Sequence, residues 1–116
     1  NGYTISWGGD TSEKGFNVKE GFAVLEDEAK EVTQNSRQEA FDDWRSTDDH
    51  SMHIVGLSKD DKGNSFFLTK NSYGTTSGPF EGHLHMSKNY VRMKTIYFMV
   101  HKQAIPEDIR RKAGIK

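Results

Sequence analysis

The residues in this sequence best suited to acid–base chemistry are two histidines and an asparagine. His50 and His53 lie three residues apart near one extended run, and Asn71 directly follows another. An imidazole changes charge near neutral pH, so it can take up and release a proton during a reaction. An asparagine amide oxygen can accept the imidazole N–H, which fixes the tautomer and leaves the other ring nitrogen to handle a proton. A histidine held against Asn71 is therefore the first chemistry to look for.

A β-hairpin is predicted to bring these residues together. Its strands are residues 52–58 and 66–70, joined by a segment rich in Asp, Gly and Asn. With the turn centred in that segment, residue i faces about residue 124 minus i, which places Asn71 opposite His53. One bulge or register shift would place His50 beside Asn71 instead. The two histidines point to opposite faces of the strand, and the pattern leaves open which of them meets Asn71.

A nucleophile for such a pair is missing from this chain. Ser51 is adjacent to His50 but should point to the opposite side of the strand, which makes it a poor candidate. The sequence contains no cysteine, which excludes disulfides, thiolate metal ligands and a thiol nucleophile of its own. We therefore expect the reactive atom to come from elsewhere.

The remaining extended runs predict an α+β fold, in which a mostly antiparallel sheet has a helix before it and another after it. Residues 3–7 alternate as a strand that stops at two glycines, and Trp7 is predicted to be a core residue. Residues 11–31 predict a loop with short elements. Residues 82–87 and 95–101 predict two more strands, and we expect the second to be buried because it is the most apolar.

Two helices are predicted around these strands. The first begins after Thr33, a capping residue, and runs to about Arg45. Its apolar residues form one stripe that should dock on the sheet: Ala40, Phe41 and Trp44. The second is short, and Pro106 can open its first turn.

Composition sets limits on size and partners. A chain of 116 residues is one domain. Because 33% of its residues are hydrophobic and its mean hydropathy is −0.84, we expect a partner surface to complete its core. Its net charge of −1 comes without a basic patch or a bilayer-length apolar run, so neither nucleic acid nor a membrane is expected as a partner. Since the chain starts at Asn1, we expect the natural protein to start upstream, and its compartment cannot be read from this end.

Two stretches, DDHSMHIVG and KNSYGT, carry a family resemblance. The first is similar to the His-Ala-Met stretch, and the second to the Asn-Ser-Trp-Gly motif, of the papain-like cysteine peptidases, specifically the bleomycin hydrolase and aminopeptidase C branch. The likeness extends through RQEAFDDW, YVRMKTIYFMVHK and AIPEDIRRK, and back to ISWGGD. It covers nearly the whole chain but only about the last third of a family member.

The resemblance implies roles for particular residues. His50 matches the catalytic histidine of a Cys-His-Asn triad, and Asn71 matches the asparagine that orients it. Tyr73 stands where the family usually has a tryptophan that shields the His–Asn hydrogen bond from water. The cysteine and the oxyanion-hole glutamine would lie in an upstream half, so this chain alone is not expected to hydrolyse peptides.

The resemblance also implies a wider context. Residues 1–116 would form the C-terminal, His- and Asn-bearing part of a papain-like aminopeptidase, with a half-barrel sheet. Its partners would be the missing N-terminal part and a peptide substrate, and neither a cofactor nor a metal is expected. A homo-hexameric ring, a cytoplasmic location and a C-terminal arm that enters the cleft are implied as well, the arm here being the tail after Pro106.

Two other hypotheses stay open. A truncated or degenerate relative would bind peptides or partner subunits without catalysis. Alternatively, His83 and His85, spaced for one strand face, could bind a metal together with an aspartate of an earlier loop: Asp48 or Asp49. Three glycines resemble a phosphate-binding loop only in composition and more simply permit turns: Gly74, Gly78 and Gly82.

Overall fold

The computed structural model describes residues 2–116 as one seven-stranded sheet with three α-helices. The strands are β1 (Ile5–Gly9), β2 (Phe16–Asn17), β3 (Phe22–Ala23), β4 (His50–Lys59), β5 (Ser65–Lys70), β6 (His83–Ser87) and β7 (Thr95–Val100). The helices are α1 (Gln34–Asp42), α2 (Lys88–Lys94) and α3 (Glu107–Lys112), with a 3-10 turn at Lys102–Ala104. The strand order is β2-β3-β6-β5-β4-β1-β7, and only the β3–β6 pairing is parallel. The predicted α+β class is confirmed.

The turn of the β4–β5 hairpin is organised by one carboxylate. Asp60 accepts hydrogen bonds from the backbone N–H groups of Lys62 and Asn64 and from the Asn64 side chain. Gly63 takes a φ of 83°, which favours glycine. The Asp- and Gly-rich composition that predicted the turn thus acts through these local hydrogen bonds.

The hairpin register follows the prediction only near its turn. From the turn to Gly56 the strands pair as expected, and the register then shifts by one residue, so that His53 pairs with Lys70. The predicted position of Asn71 opposite His53 is therefore wrong. A β-bulge, which inserts one extra residue into a single strand, is the physical reason.

The core lies between the sheet and α2. It contains Trp7, Ala23, Met52, Ile54, Leu84, Met86, Tyr90 and Val91. Trp7 is fully buried, as predicted. The sequence analysis missed α2, although Ser87 caps it by accepting the N–H of Tyr90. A helix this short, placed between two strand-like runs, has too few turns to show a clear period.

The first helix differs from its prediction at its C-terminal end. Thr33 is the N-cap of this helix, as predicted, and forms a capping box with Ser36. The helix ends at Asp42, so Trp44 does not continue the helical period of Ala40 and has a left-handed φ of 65°. Ala40 is buried, whereas Phe41 and Trp44 are 54% and 82% exposed. The predicted docking stripe is wrong for these two aromatic residues.

The burial of strand β7, which was predicted from its apolar sequence, is also wrong. Tyr97, Phe98 and Met99 are 45%, 53% and 70% exposed. The strand lies at the end of the sheet order and pairs with β1 alone. An apolar strand becomes buried only when another layer covers it, and the described residues provide none over most of β7.

The ends of the chain agree with the prediction apart from their boundaries. β1 begins at Ile5 and continues through Gly8 and Gly9, which the sequence analysis took as its end. Pro106 directly precedes α3, so the final helix is present. No helix in the part of the chain that the structure describes is long and apolar enough to cross a membrane.

Candidate active site

The imidazole of His50 and the carboxamide of Asn71 form a direct hydrogen bond. His50 Nε2 lies 2.8 Å from Asn71 Oδ1. His50 begins β4 and Asn71 directly follows β5, so the pair lies where the two strands of the hairpin separate. Asn71 is 6% exposed, and His50 is partly buried. The bulge in β4 thus places His50, and not His53, against Asn71.

The backbone of Ser72 fixes the orientation of the Asn71 amide. Its N–H donates to Asn71 Oδ1 over 2.8 Å. Because a backbone N–H needs an acceptor, the atom facing it must be the amide oxygen and not the NH₂ group. The same oxygen faces His50, so His50 Nε2 carries the hydrogen. His50 Nδ1 is then the unprotonated nitrogen of the neutral ring and is able to accept a proton.

Tyr73 covers the pair from one side. Its ring stacks on the imidazole of His50 with centroids 5.4 Å apart and planes at 28°. Tyr73 itself is 54% exposed. A ring in this position limits access of water to the His–Asn hydrogen bond, which strengthens that bond by lowering the local dielectric constant.

The backbone around the pair is held by close contacts. Asn71 donates its N–H to the carbonyl of Gly82. Gly82 has a φ of 80°, and a Cβ there would lie 2.5 Å from the carbonyl oxygen of Gly74. Gly74 and Gly78 also have positive φ values, so these glycines form turns. On the other strand, His50 pairs with Gly9 of β1.

His53 and Ser51 lie away from this pair. His53 is exposed and its Nε2 lies 2.7 Å from the hydroxyl of Thr4. The hydroxyl of Ser51 lies 3.0 Å from that of Tyr97 on β7. Both side chains are on the opposite face of β4 from His50, as their odd separation requires. Ser51 is therefore not placed to serve as a nucleophile for His50.

The histidines of β6 do not form a metal site with the predicted aspartates. His85 Nδ1 lies 2.6 Å from the Ser58 hydroxyl, and His83 Nδ1 lies 3.2 Å from the carbonyl of Phe80. Asp49 instead accepts hydrogen bonds from Thr11. No group of three metal-ligating side chains occurs among residues 2–116. Burial, with a smaller effect of the charge on His83, lowers the pKa of His85.

A buried ionic cluster next to this site was missed by the sequence analysis. Lys94, 2% exposed, lies 3.6 Å from a carboxylate oxygen of Asp10 and 2.5 Å from one of Glu13. Asp10 also accepts the N–H groups of Ser12 and Thr47. Its burial opposes ionisation, but these hydrogen bonds and the charge of Lys94 outweigh it and lower the pKa of Asp10.

This cluster fixes the segment between β1 and β2 against α2. Tyr90 adds a hydrogen bond from its hydroxyl to the Asp10 carbonyl. Burial raises the pKa of Tyr90, so its hydroxyl stays protonated and acts as a donor. The four groups lie far apart in sequence, since 84 residues separate Asp10 from Lys94. Their opposite charges were the only signal in the sequence that could have suggested this pairing.

The fold of this chain is that of the papain-like peptidases, as its match to a family model and to a solved structure shows. The crystal structure of PepW from Lactobacillus rhamnosis HN001 matches with a TM-score of 0.66 at 20% identity, over 97% of this chain and 27% of that one. The proform of the Amb a 11 cysteine protease, a ragweed pollen allergen, matches with a TM-score of 0.48 at 20% identity, over 84% of this chain and 26% of that one.

The sequence places the chain more specifically. The sequence model of the Peptidase C1-like family matches residues 6–115, and the chain belongs to this family. No curated protein matches the chain. The chain spans about a quarter of the length of the solved structures that it matches. The predicted resemblance to papain-like peptidases is confirmed at the level of family and fold.

Proposed function

We propose that this chain supplies the histidine and the asparagine of a Cys-His-Asn triad in a cysteine peptidase. The observation that supports the proposal is the 2.8 Å hydrogen bond between His50 and Asn71, with the amide oriented by the Ser72 N–H. This arrangement leaves His50 Nδ1 as the basic atom. The nucleophilic cysteine belongs to a part of the protein outside this sequence, since the chain has none.

In the proposed acylation step, the thiol gives its proton to Nδ1 of His50 and forms a thiolate–imidazolium pair. The thiolate attacks the carbonyl carbon of the scissile peptide bond. As the C–N bond breaks, the imidazolium returns the proton to the leaving amine. The acyl group remains on sulfur as a thioester.

In the proposed deacylation step, His50 accepts a proton from water as the water attacks the thioester carbonyl. The C–S bond then breaks, the acid product leaves, and the proton on His50 returns to sulfur. Asn71 holds the ring in one orientation throughout, so the same nitrogen serves both steps. Neither step requires a cofactor or a metal.

The expected specificity is that of an aminopeptidase, on the basis of the family resemblance. The tail after Pro106 would act as the arm that blocks longer substrates, and a hexameric ring is the assembly implied. Deleting the tail after Pro106 should then permit cleavage of N-acetylated peptides that the intact protein rejects. Light scattering of the intact protein would measure its oligomeric state.

The central test uses the longer natural protein with an aminoacyl fluorogenic substrate. We expect His50→Ala to lower kcat/KM by about 10³-fold, because both proton transfers depend on that imidazole. The matched control is His53→Ala, which removes a histidine from the opposite face of the same strand and should change kcat/KM by less than about twofold. Activity that survives His50→Ala would contradict the proposed role.

The same preparation distinguishes the non-catalytic alternative. A binding module would bind peptides without turnover, and its upstream sequence would lack a cysteine in a Gln-x-x-x-x-x-Cys context. A catalytic protein would instead be inactivated by a thiol-alkylating reagent at that cysteine.

A further inference from the structure

An aromatic cavity lies beside the turn of the β4–β5 hairpin. Its volume is about 430 Å³, which is within the range of small-ligand pockets. Four aromatic rings line it: Phe22, Phe66, Phe80 and His85. Phe80 is 38% exposed and the other three are only partly buried, so a ligand can reach these rings from solvent.

The rings are held in place by contacts outside the cavity. Phe80 packs on the backbone of Gly21, where a Cβ would lie 2.3 Å from its ring. His85 Nδ1 lies 2.6 Å from the Ser58 hydroxyl. The rings of Phe80 and His85 stand at 90° to each other, with centroids 4.7 Å apart. Because these contacts already fix the rings, a ligand that binds to them loses little affinity to side-chain ordering.

The charges of the lining favour a cation. Asp60 and Asp61 contribute two carboxylates and Lys59 contributes one ammonium group, so negative charge is in excess. Burial, with a smaller effect of the charge on His83, lowers the pKa of His85, so its ring is neutral at pH 7 and adds no positive charge. The face of a phenyl ring also attracts a cation, because the ring quadrupole is negative there.

The hydrogen-bonding groups of the lining favour a cation that has no N–H group. Phenyl rings accept only weak hydrogen bonds. The carboxylate of Asp60 already accepts three hydrogen bonds within the turn. A primary ammonium group would bring three N–H donors into this surrounding. A quaternary ammonium group has none, and its methyl groups can pack directly on the rings.

We infer that this cavity binds a small organic cation that carries a quaternary ammonium group. The site is distant from the His–Asn pair, since Lys59 ends the strand that His50 begins, and a strand of this length spans about 30 Å. The inference therefore does not depend on the proposed peptidase activity. Binding and catalysis can be measured separately.

The test measures the binding of choline to the longer natural protein by ligand-observed NMR. The matched neutral probe is the carbon analogue of choline, in which a carbon atom replaces the quaternary nitrogen. We expect half-saturation at about 1 mM choline and about tenfold weaker binding of the carbon analogue, because ring faces and carboxylates attract only the cation. Equal affinity for the two probes would show an apolar pocket only and would overturn the inference, as would an absence of choline binding.

A substitution in the ring wall tests whether choline binds in this cavity. Phe80→Leu keeps an apolar side chain but removes one ring face, so we expect it to weaken choline binding by about fivefold and to change binding of the carbon analogue by less than about twofold. Phe41→Leu removes a ring that is exposed but does not line this cavity, and it should leave choline binding unchanged. Equal choline affinities in the two variants would contradict the inference.

Two substitutions at exposed charged positions test the electrostatic part without disturbing the packing. Asp61→Asn should weaken choline binding by about threefold, and Lys59→Gln should strengthen it by a similar factor, because each changes the charge of the lining in the opposite direction. Binding of the carbon analogue should be the same in both variants. Choline affinities that do not differ between Asp61→Asn and Lys59→Gln would show that the cation is not bound at this lining.

Discussion

Asn71 contributes one oxygen atom that serves two donors. The backbone N–H of Ser72 and the imidazole N–H of His50 both point to Asn71 Oδ1, each over 2.8 Å. The first bond fixes the amide, and the fixed amide in turn selects the tautomer of the imidazole. Asn71 is thus a positioning residue in the proposed mechanism, because it acts through His50 and not on the substrate.

Replacing Asn71 with alanine should impair catalysis while leaving His50 in place. We expect Asn71→Ala in the longer natural protein to lower kcat by about 10²-fold, because the imidazole is free to rotate and to change tautomer. The measurement is kcat and KM with an aminoacyl fluorogenic substrate, and the loss should fall on kcat because Asn71 acts through His50 and not on the substrate. Asn64→Ala, in the hairpin turn, is the matched control and should change kcat by less than about twofold. An unchanged kcat in Asn71→Ala would contradict the positioning role.

The ionised carboxylate of Asp10 stabilises the folded protein, and protonation at low pH removes this stabilisation. Its pKa in the folded state lies below the ordinary value of 3.8, so folding favours the ionised form. The stabilisation is therefore complete above about pH 4 and is lost as the pH falls towards the folded-state pKa. Asp10→Asn leaves Lys94 with Glu13 alone.

We expect Asp10→Asn to lower the free energy of unfolding by about 2 kcal/mol at pH 7, because the charge-assisted hydrogen bonds to Asp10 are weakened while Lys94 keeps Glu13 as a partner. The difference in the free energy of unfolding between Asp10→Asn and the unsubstituted protein should become smaller as the pH falls below 3.8. Urea unfolding between pH 2.5 and pH 7 measures it. Asp61→Asn, at an exposed position of the hairpin turn, is the control. A difference that stayed constant across this range would show that the carboxylate charge of Asp10 does not stabilise the fold.

At the scale of the elements, the bulge in β4 is the feature that assembles the site. It moves every residue between His50 and Ile54 by one position relative to β5. Without the bulge, Asn71 would pair with His53. The side chain of His53 lies on the opposite face of β4 from that of His50. The inner strand β1 then fixes the start of β4 through the pairing of Gly9 with His50.

Two glycines in neighbouring strands should respond in opposite ways to alanine. A Cβ at Gly9 would collide with the Lys94 carbonyl oxygen and the Trp7 ring, whereas one at Gly56 meets only Leu68, at 3.9 Å. We expect Gly9→Ala to lower the free energy of unfolding by about 3 kcal/mol, because backbone atoms cannot move aside. Gly56→Ala should be neutral or stabilise by about 0.5 kcal/mol by restricting the unfolded chain. Chemical denaturation of both variants tests this, and equal effects would contradict the packing argument at β1.

At the scale of the whole molecule, the chain exposes several large hydrophobic residues to solvent. Large hydrophobic residues with more than half of their surface exposed include Phe41, Trp44, Leu57, Phe98 and Met99. The chain also covers only 27% of the length of the PepW structure that it matches. Exposed apolar patches favour association with another polypeptide, and so does an edge strand such as β7, which has a partner strand on one side only.

The 116-residue chain alone should therefore self-associate through β7. We expect its apparent mass in sedimentation to rise with concentration, and Met99→Lys to reduce this by placing a charge on the exposed edge strand. Thr75→Lys adds the same charge in an exposed loop and serves as the control. Equal self-association in the two lysine variants would exclude β7 as the contact.

Local chemistry in the sequence was sufficient to predict several elements. Thr33 capped a helix, the Asp- and Gly-rich turn closed a hairpin, and period-two runs formed strands, because each depends on neighbours a few residues apart. The motifs around His50 and Asn71 also indicated the family, and the mutual approach of these residues was predicted as one of two registers. Their catalytic role remains a prediction.

The tertiary structure alone decided the rest. A bulge of one residue chose His50 over His53, because register depends on how two strands pair and not on either strand's composition. β7 and Trp44 are exposed because no other part of the described chain packs over them. Whether an apolar residue is covered in this way cannot be read from its apolarity in the sequence. The buried Asp10–Lys94 pair likewise results from contacts between residues distant in sequence, since the free energy of a charge depends on what surrounds it in the folded protein.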